Sequence, residues 1–104
     1  MEGYLMPYVV CTGSFPAHVG KEVGQIFLKL EKLPDFVKIE HVFTTSIGET
    51  TFFTIYKIED ESKYFAGMKA ISKRLTGYMN IEGYKYTCYP VLEAKDALGM
   101  IGLG

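Results

Sequence analysis

The sequence is poor in the residues from which many catalytic and metal sites are built. Its 104 residues include two cysteines, two histidines and no tryptophan. Neither cysteine belongs to a CxxC pair, so the usual signature of zinc sites and of thioredoxin-like chemistry is missing. We therefore predict no metal site and no bound cofactor, and we expect Cys11 and Cys88 to be free thiols.

A strong net charge and long apolar runs are also missing. Eleven basic residues stand against twelve acidic ones, which makes the formal net charge −1. A chain without a strong positive field is not expected to bind nucleic acid or an anionic membrane. No run approaches the roughly 20 apolar residues that span a bilayer, and the N-terminus lacks the pattern of a signal peptide. These absences predict a cytoplasmic protein.

What the sequence does contain is typical of one small globular domain. Hydrophobic residues make up 48% of the chain and charged residues 22%, with eight tyrosines and seven phenylalanines. No linker or repeat divides it, so we predict a single domain over residues 1–104. Its core is expected at about 4–92. An apolar tail at 93–104 is expected to form a short helix, followed by a segment that docks on the body or on a partner subunit.

The order of predicted elements indicates the fold class. Aromatic and β-branched runs predict strands at 4–12, 36–45, 50–58 and 84–91. Helical spacing predicts one helix that reaches Leu33 before Pro34, and another that begins near Asp60 or Ser62 and ends near Gly77. Strand, helix, hairpin, helix, strand is the α+β, ferredoxin-like βαββαβ arrangement, a four-stranded antiparallel sheet with two helices on one face.

The central hairpin predicts which residues share each face of the sheet. A turn at Ile47-Gly48 pairs His41 with Thr54 and Phe43 with Phe52, and it turns these side chains toward the helices. The other face then carries an apolar patch that a monomer would not leave in water, made of Phe36, Val42, Phe53 and Ile55. We expect a second copy of the sheet to cover this patch.

This order of elements resembles that of a known group. The strands PYVVCT, FVKIEHVF, TTFFTIYKI and GYKYTCYPVLE, over residues 4–92, are similar to those of the dimeric α/β-barrel group of the ferredoxin-like fold, especially its short stand-alone members. The resemblance implies a homodimer or higher oligomer in which sheets pair into a barrel. It also implies a ligand pocket between sheet and helices, but it includes no catalytic motif.

A few side chains are candidates for such a pocket. His41 could act as a general base, with Thr54 and Tyr56 beside it. It could instead be a buried neutral histidine that bonds to the Tyr56 hydroxyl or to a backbone carbonyl. Tyr8 and Tyr86 could help to grip a flat or apolar ligand, or could simply pack in the core or an interface.

Three classes of function follow from these candidates. The first is binding of a small apolar or aromatic molecule between sheet and helices. The alternative is a cofactor-independent isomerase or monooxygenase with His41 as base, although the absence of tryptophan argues against the haem-degrading members of the resembled group. A remote alternative is RNA binding, but the strand at 50–58 lacks the basic residue and glycine of the RNA-recognition motif.

The two cysteines are predicted to lie apart. In the predicted fold the first and fourth strands are neighbours. If they are paired from their predicted ends, Cys11 lies next to Lys85 and Cys88 next to Tyr8. This register leaves the thiols unopposed, as separate buried or half-buried side chains.

Overall fold

The computed structural model describes residues 7–46 and 49–103. Within these ranges the chain forms an α+β structure with one antiparallel sheet of four strands and three α-helices. The strands are β1 (Tyr8–Phe15), β2 (Val37–Thr45), β3 (Thr50–Ile58) and β4 (Lys85–Val91). The helices are α1 (Gly20–Leu28), α2 (Tyr64–Leu75) and α3 (Ala94–Met100). Short 3₁₀ helices lie at Ala17–Val19, Glu61–Lys63 and Thr76–Tyr78.

The strands lie in the order β2-β3-β1-β4, and each neighbouring pair is antiparallel. Both α1 and α2 pack on the same face of the sheet. One buried cluster lies beneath α2 and contains Val9, Cys11, Val37, Tyr56, Ile58, Ile71 and Leu75. A second cluster near α1 contains Phe15, Val19, Val23, Tyr78 and Ile81. We call the other side of the sheet the open face, because neither α1 nor α2 packs on it.

Strand β1 runs past the glycine at which the sequence pattern predicted its end. The prediction for residues 4–6 lies outside the described residues, but β1 continues through Gly13 to Phe15. A β-carbon on Gly13 would lie 2.6 Å from Cζ of Phe52, so the missing side chain makes room for that ring. Glycine here permits close packing inside the strand, and the prediction of a strand end was wrong.

Helix α1 ends earlier than its apolar stripe predicted. The helix stops at Leu28, whereas Leu30 and Leu33 lie in the connection to β2 and still pack partly against the two core clusters. Proline disfavours helical backbone in the residue before it, which opposes continuation of the helix to Pro34. Apolar spacing therefore predicted which side chains are buried but overestimated the length of the helix.

A bulge in β2 overturns the predicted facing of the hairpin. Val37 pairs with Ile58 and Ile39 with Tyr56 as predicted, but the register then shifts between Ile39 and His41. Beyond the shift His41 pairs with Ile55 instead of Thr54, and Phe43 with Phe53 instead of Phe52. One extra residue in a strand reverses the facing of every residue that follows it.

The bulge moves His41 and Phe43 to the open face and Val42 to the opposite face, which corrects three of our assignments. Phe36 also leaves the predicted patch, because it is partly buried against the core, with the Lys63 ammonium 5.2 Å from its ring centroid. Phe53 and Ile55 stay on the open face as predicted. The predicted turn at Ile47-Gly48 lies outside the described residues.

The predicted cross-strand pairing of the two cysteines is also wrong. Cys11 stands directly opposite Cys88, while Lys85 pairs with Ser14 and Tyr8 with Val91. The register differs from the predicted one by three residues, which matches the three residues by which β1 extends beyond Thr12. The error of three residues in the predicted end of β1 thus produced an error of three residues in the predicted register of β1 and β4.

Candidate ligand-binding site

Thr54 and Tyr56 lie on the helix-facing side of β3, and both are buried. Tyr56 belongs to the core cluster beneath α2. Burial is the main cause that raises the pKa of the Tyr56 hydroxyl to about 12, while the positive charge of Arg74 acts in the opposite direction. These two residues therefore form part of the inner wall between the sheet and the helices.

His41 lies away from Thr54 and Tyr56, on the open face and exposed to solvent. Its imidazole stacks on the ring of Phe43, with 5.4 Å between centroids. The structure therefore does not bring together the predicted group of one histidine, one tyrosine and one threonine. A role for His41 as a general base stays a prediction.

The two other predicted ligand contacts lie on opposite faces of the sheet. Tyr8 is half-buried on the open face, where the Lys57 ammonium lies 5.7 Å from its ring centroid. Tyr86 is half-exposed on the helix-facing side and stacks on Tyr84 at 5.9 Å. Tyr84 in turn stacks on the buried Tyr78 at 4.9 Å. Tyr86 is thus the outer member of a stack of rings that leads through Tyr84 to the buried Tyr78.

A cleft of about 490 Å³ lies between the end of α1, the connection to β2, and α2. Its apolar walls are formed by Ile26, Leu30, Leu33, Pro34 and Ala70. A second depression of about 310 Å³ shares Leu33, Pro34 and Arg74 with it and reaches β2 at Val37 and Ile39. Pockets of this volume with apolar walls and a few polar groups are typical of small-molecule sites. We call the two depressions together the α1–α2 cleft.

Basic side chains predominate around the α1–α2 cleft. Five basic residues line it, against two acidic ones, although the whole chain carries a formal charge of −1. The basic residues are Lys29, Lys32, Lys38, Lys73 and Arg74, and the acidic ones are Glu31 and Asp35. The cleft is therefore a local site of positive charge on an almost neutral protein.

Arg74 lines both depressions of this cleft. Its Nη1 donates a hydrogen bond of 2.7 Å to the backbone carbonyl of Glu31, which ties α2 to the connection after α1. The Nζ atom of Lys73 lies 3.7 Å from the carboxylate of the same glutamate. A guanidinium has five N–H donors, so the bond to Glu31 leaves further donors for an anionic group.

Our prediction from sequence missed the α1–α2 cleft. One feature of the sequence could have pointed to this cleft, namely that Arg74 is the single arginine of the chain. The lysines gave no signal, since ten of them are spread over the sequence and only folding brings four of them to this cleft. Apolar periodicity predicts which side of a helix packs on the sheet, whereas the cleft lies between the helices.

Within residues 7–46 and 49–103, no three histidine, cysteine or acidic side chains are grouped so that they could hold a metal ion. Over the same part of the chain, no helix combines the length and the apolar character needed to cross a membrane.

Comparison with known proteins adds a likeness of fold. No family model and no curated protein matches the sequence. Among solved structures, the chain is similar to PelD 156-455 from Pseudomonas aeruginosa PA14 in complex with c-di-GMP. The TM-score is 0.51 at 11% sequence identity, and the match covers 94% of this chain but 37% of the PelD chain. A likeness at this identity concerns the fold alone.

Proposed function

We propose that this chain is a ferredoxin-like domain that pairs with itself and binds a small molecule in the α1–α2 cleft. The molecule has an apolar or aromatic body and a negatively charged group. The observation that carries this proposal is the combination of apolar walls with predominantly basic side chains around one cavity of about 490 Å³. The ligand would lie beside the helices at the start of β2, rather than beside His41.

The assignment to the ferredoxin-like fold rests on two observations. The elements follow one another as β1, α1, β2, β3, α2 and β4, with both helices on one face. The strand order β2-β3-β1-β4 is the order expected when two right-handed βαβ crossovers interlock in one antiparallel sheet.

Self-pairing would cover the open face. Phe43 is 54% exposed there, Tyr89 48% and Phe53 37%, and the half-buried Ile55 lies on the same face, two positions after Phe53 in β3. An apolar face of this kind is usually covered by another sheet or by a partner. In the tail, the exposed side chains of Leu98, Met100 and Ile101 support a contact with a partner subunit.

The likeness to PelD supports the choice of c-di-GMP as a probe of the cleft. That solved structure is a complex with c-di-GMP, which is an anion with two flat purine rings. Its chemistry matches the ligand class that we propose from the cleft. We also propose a cytoplasmic location, on the sequence pattern alone.

Titration with an aromatic anion tests the ligand class. We expect 8-anilinonaphthalene-1-sulfonate to bind saturably, one molecule per subunit, as followed by its fluorescence and by calorimetry. Arg74→Met should weaken binding by at least roughly tenfold, because a charge-assisted hydrogen bond is lost. Lys69→Met removes one positive charge from the exposed side of α2, outside the cleft, and should leave binding unchanged. Equal effects of the two variants, or unsaturable binding, would contradict the proposal.

Native mass spectrometry of gently purified protein gives a second test. We expect a dimer or a higher multiple, and a discrete extra mass if the natural ligand stays bound. Titration of c-di-GMP under the same conditions would show whether this particular anion binds. A bare monomer at all concentrations would contradict self-pairing without affecting the test of the cleft.

A further inference from the structure

Cys11 and Cys88 form a close pair of thiols between a central strand and an edge strand. They are directly opposed in the register of β1 and β4, and their Sγ atoms lie 2.6 Å apart. Opposed residues of antiparallel strands have Cα atoms about 4.5 to 5.5 Å apart, a spacing that a disulfide can bridge without movement of the backbone. The β-sheet has therefore already brought the two thiols together.

We propose that Cys11 and Cys88 form a reversible disulfide that fastens edge strand β4 to β1, with a small disulfide such as oxidised glutathione as the oxidant. This inference is independent of the function proposed for the cleft. It concerns two side chains that lie on the helix-facing side of the sheet and do not line the cleft.

The two thiols differ in access and in acidity. Cys11 is 1% exposed, whereas Cys88 is only partly buried. The Cys11 S–H donates to Sγ of Cys88, and this hydrogen bond lowers the pKa of Cys88. The same hydrogen bond, together with burial, raises the pKa of Cys11. Cys88 is therefore the thiol that reacts first, and Cys11 is the thiol that completes the disulfide.

The chemistry consists of two exchange steps. The Cys88 thiolate attacks one sulfur of the oxidant, forms a mixed disulfide and releases one glutathione thiolate. The Cys11 sulfur then attacks Sγ of Cys88, and its proton passes to the first glutathione thiolate. The second glutathione leaves as a thiolate and takes up the proton that Cys88 lost to water on ionising. In sum, two protein thiols are oxidised to one disulfide while one molecule of oxidised glutathione is reduced to two thiols.

The disulfide would act on a strand at the edge of the described sheet. Within the described sheet, β4 is hydrogen-bonded to β1 along one edge only. The new bond would close a ring of 77 sequence positions, which restricts the unfolded chain strongly. We therefore expect oxidation to stabilise the fold and to suppress opening of β4.

Intact-mass spectrometry and thermal melting test the proposal on the folded protein. Reduced protein is incubated with oxidised glutathione without denaturant, and samples are then alkylated. We expect the protein to lose the mass of two hydrogen atoms, to resist alkylation and to melt on the order of 10 °C higher than the reduced form. Peptide mapping should recover the residue 11 peptide linked to the residue 88 peptide.

Two serine variants assign the roles of the thiols. Cys11→Ser should stop at a mixed disulfide with one glutathione on Cys88, and Cys88→Ser should react at least roughly tenfold more slowly because Cys11 is buried. The wild-type result decides the proposal even if a variant fails to fold. A wild type that accumulates glutathione on Cys88, links two chains through sulfur, or forms the disulfide only in urea would overturn it.

Discussion

Strands β1 and β2 have similarly apolar sequences but very different surroundings. In β1 every second residue is buried, in strict alternation from Val9 to Phe15. In β2 only Val37 is buried, and all eight following residues are exposed. β1 lies between two strands and beneath both helices, whereas β2 is an edge strand that the helices reach only at its start. The comparison shows that burial depends on what covers a strand more than on its composition.

The exposure of β2 also explains why we propose a partner. Beyond the bulge, β2 presents Phe43 on the open face and Val42 on the other, and both are about half exposed. Edge strands with exposed apolar residues invite association with another chain. Self-pairing through the open face would cover Phe43 and extend the regular burial seen in β1 to part of β2.

The largest expected effect concerns that pairing. Phe43→Glu should weaken dimer formation at least roughly a hundredfold, because a carboxylate would be buried without a partner. Sedimentation velocity over a range of concentrations measures the shift from dimer to monomer. Phe65→Glu is the matched control, since Phe65 is an exposed phenylalanine on α2, away from the open face. Equal behaviour of the two variants would show that the open face is not the interface.

Two valine substitutions test whether a buried side chain of β1 contributes more to stability than an exposed side chain of β2. Val9→Ala should lower the free energy of unfolding by about 2 kcal/mol, because a fully buried side chain is shortened and leaves a cavity. Val42→Ala should cost less than about 1 kcal/mol, since its side chain is 47% exposed. Urea denaturation under reducing conditions measures both. Similar losses would mean that Val42 is covered in solution.

The smallest effect concerns Tyr56, which pairs with Val9 of β1 on one side and Ile39 of β2 on the other. Its pKa rises from 10.0 to about 12 on folding, so between these values the folded state binds more protons than the unfolded state. Stability is therefore lost as pH rises through this range, by about 1.4 kcal/mol at pH 11 from this group.

Denaturation of wild type and Tyr56→Phe at pH 9 and pH 11 isolates this contribution. Burial also raises the pKa of Tyr78 and Tyr84, but both proteins share those residues. The free energy of unfolding of the wild type minus that of the variant should fall by about 1.3 kcal/mol from pH 9 to pH 11. A constant difference would mean that the Tyr56 hydroxyl is accessible to water.

Local pattern in the sequence was sufficient for the elements and their order. Aromatic and β-branched runs predicted all four strands, apolar spacing predicted both covering helices, and the tail does contain the short helix α3. These features depend on neighbours a few positions apart, so a single sequence contains the information. The predicted α+β class with a four-stranded antiparallel sheet is confirmed in the same way.

The candidate sites depended on register, and register was decided by tertiary structure. A bulge near Glu40 moved His41 to the open face, and a longer β1 brought Cys11 opposite Cys88. The α1–α2 cleft assembles residues from 26 to 77, among them the single arginine of the chain. The sequence by itself determined which segments are strands and helices, because propensity and periodicity are local. Only the folded chain decided which side chains meet, because one inserted or added residue changes every pair that follows it.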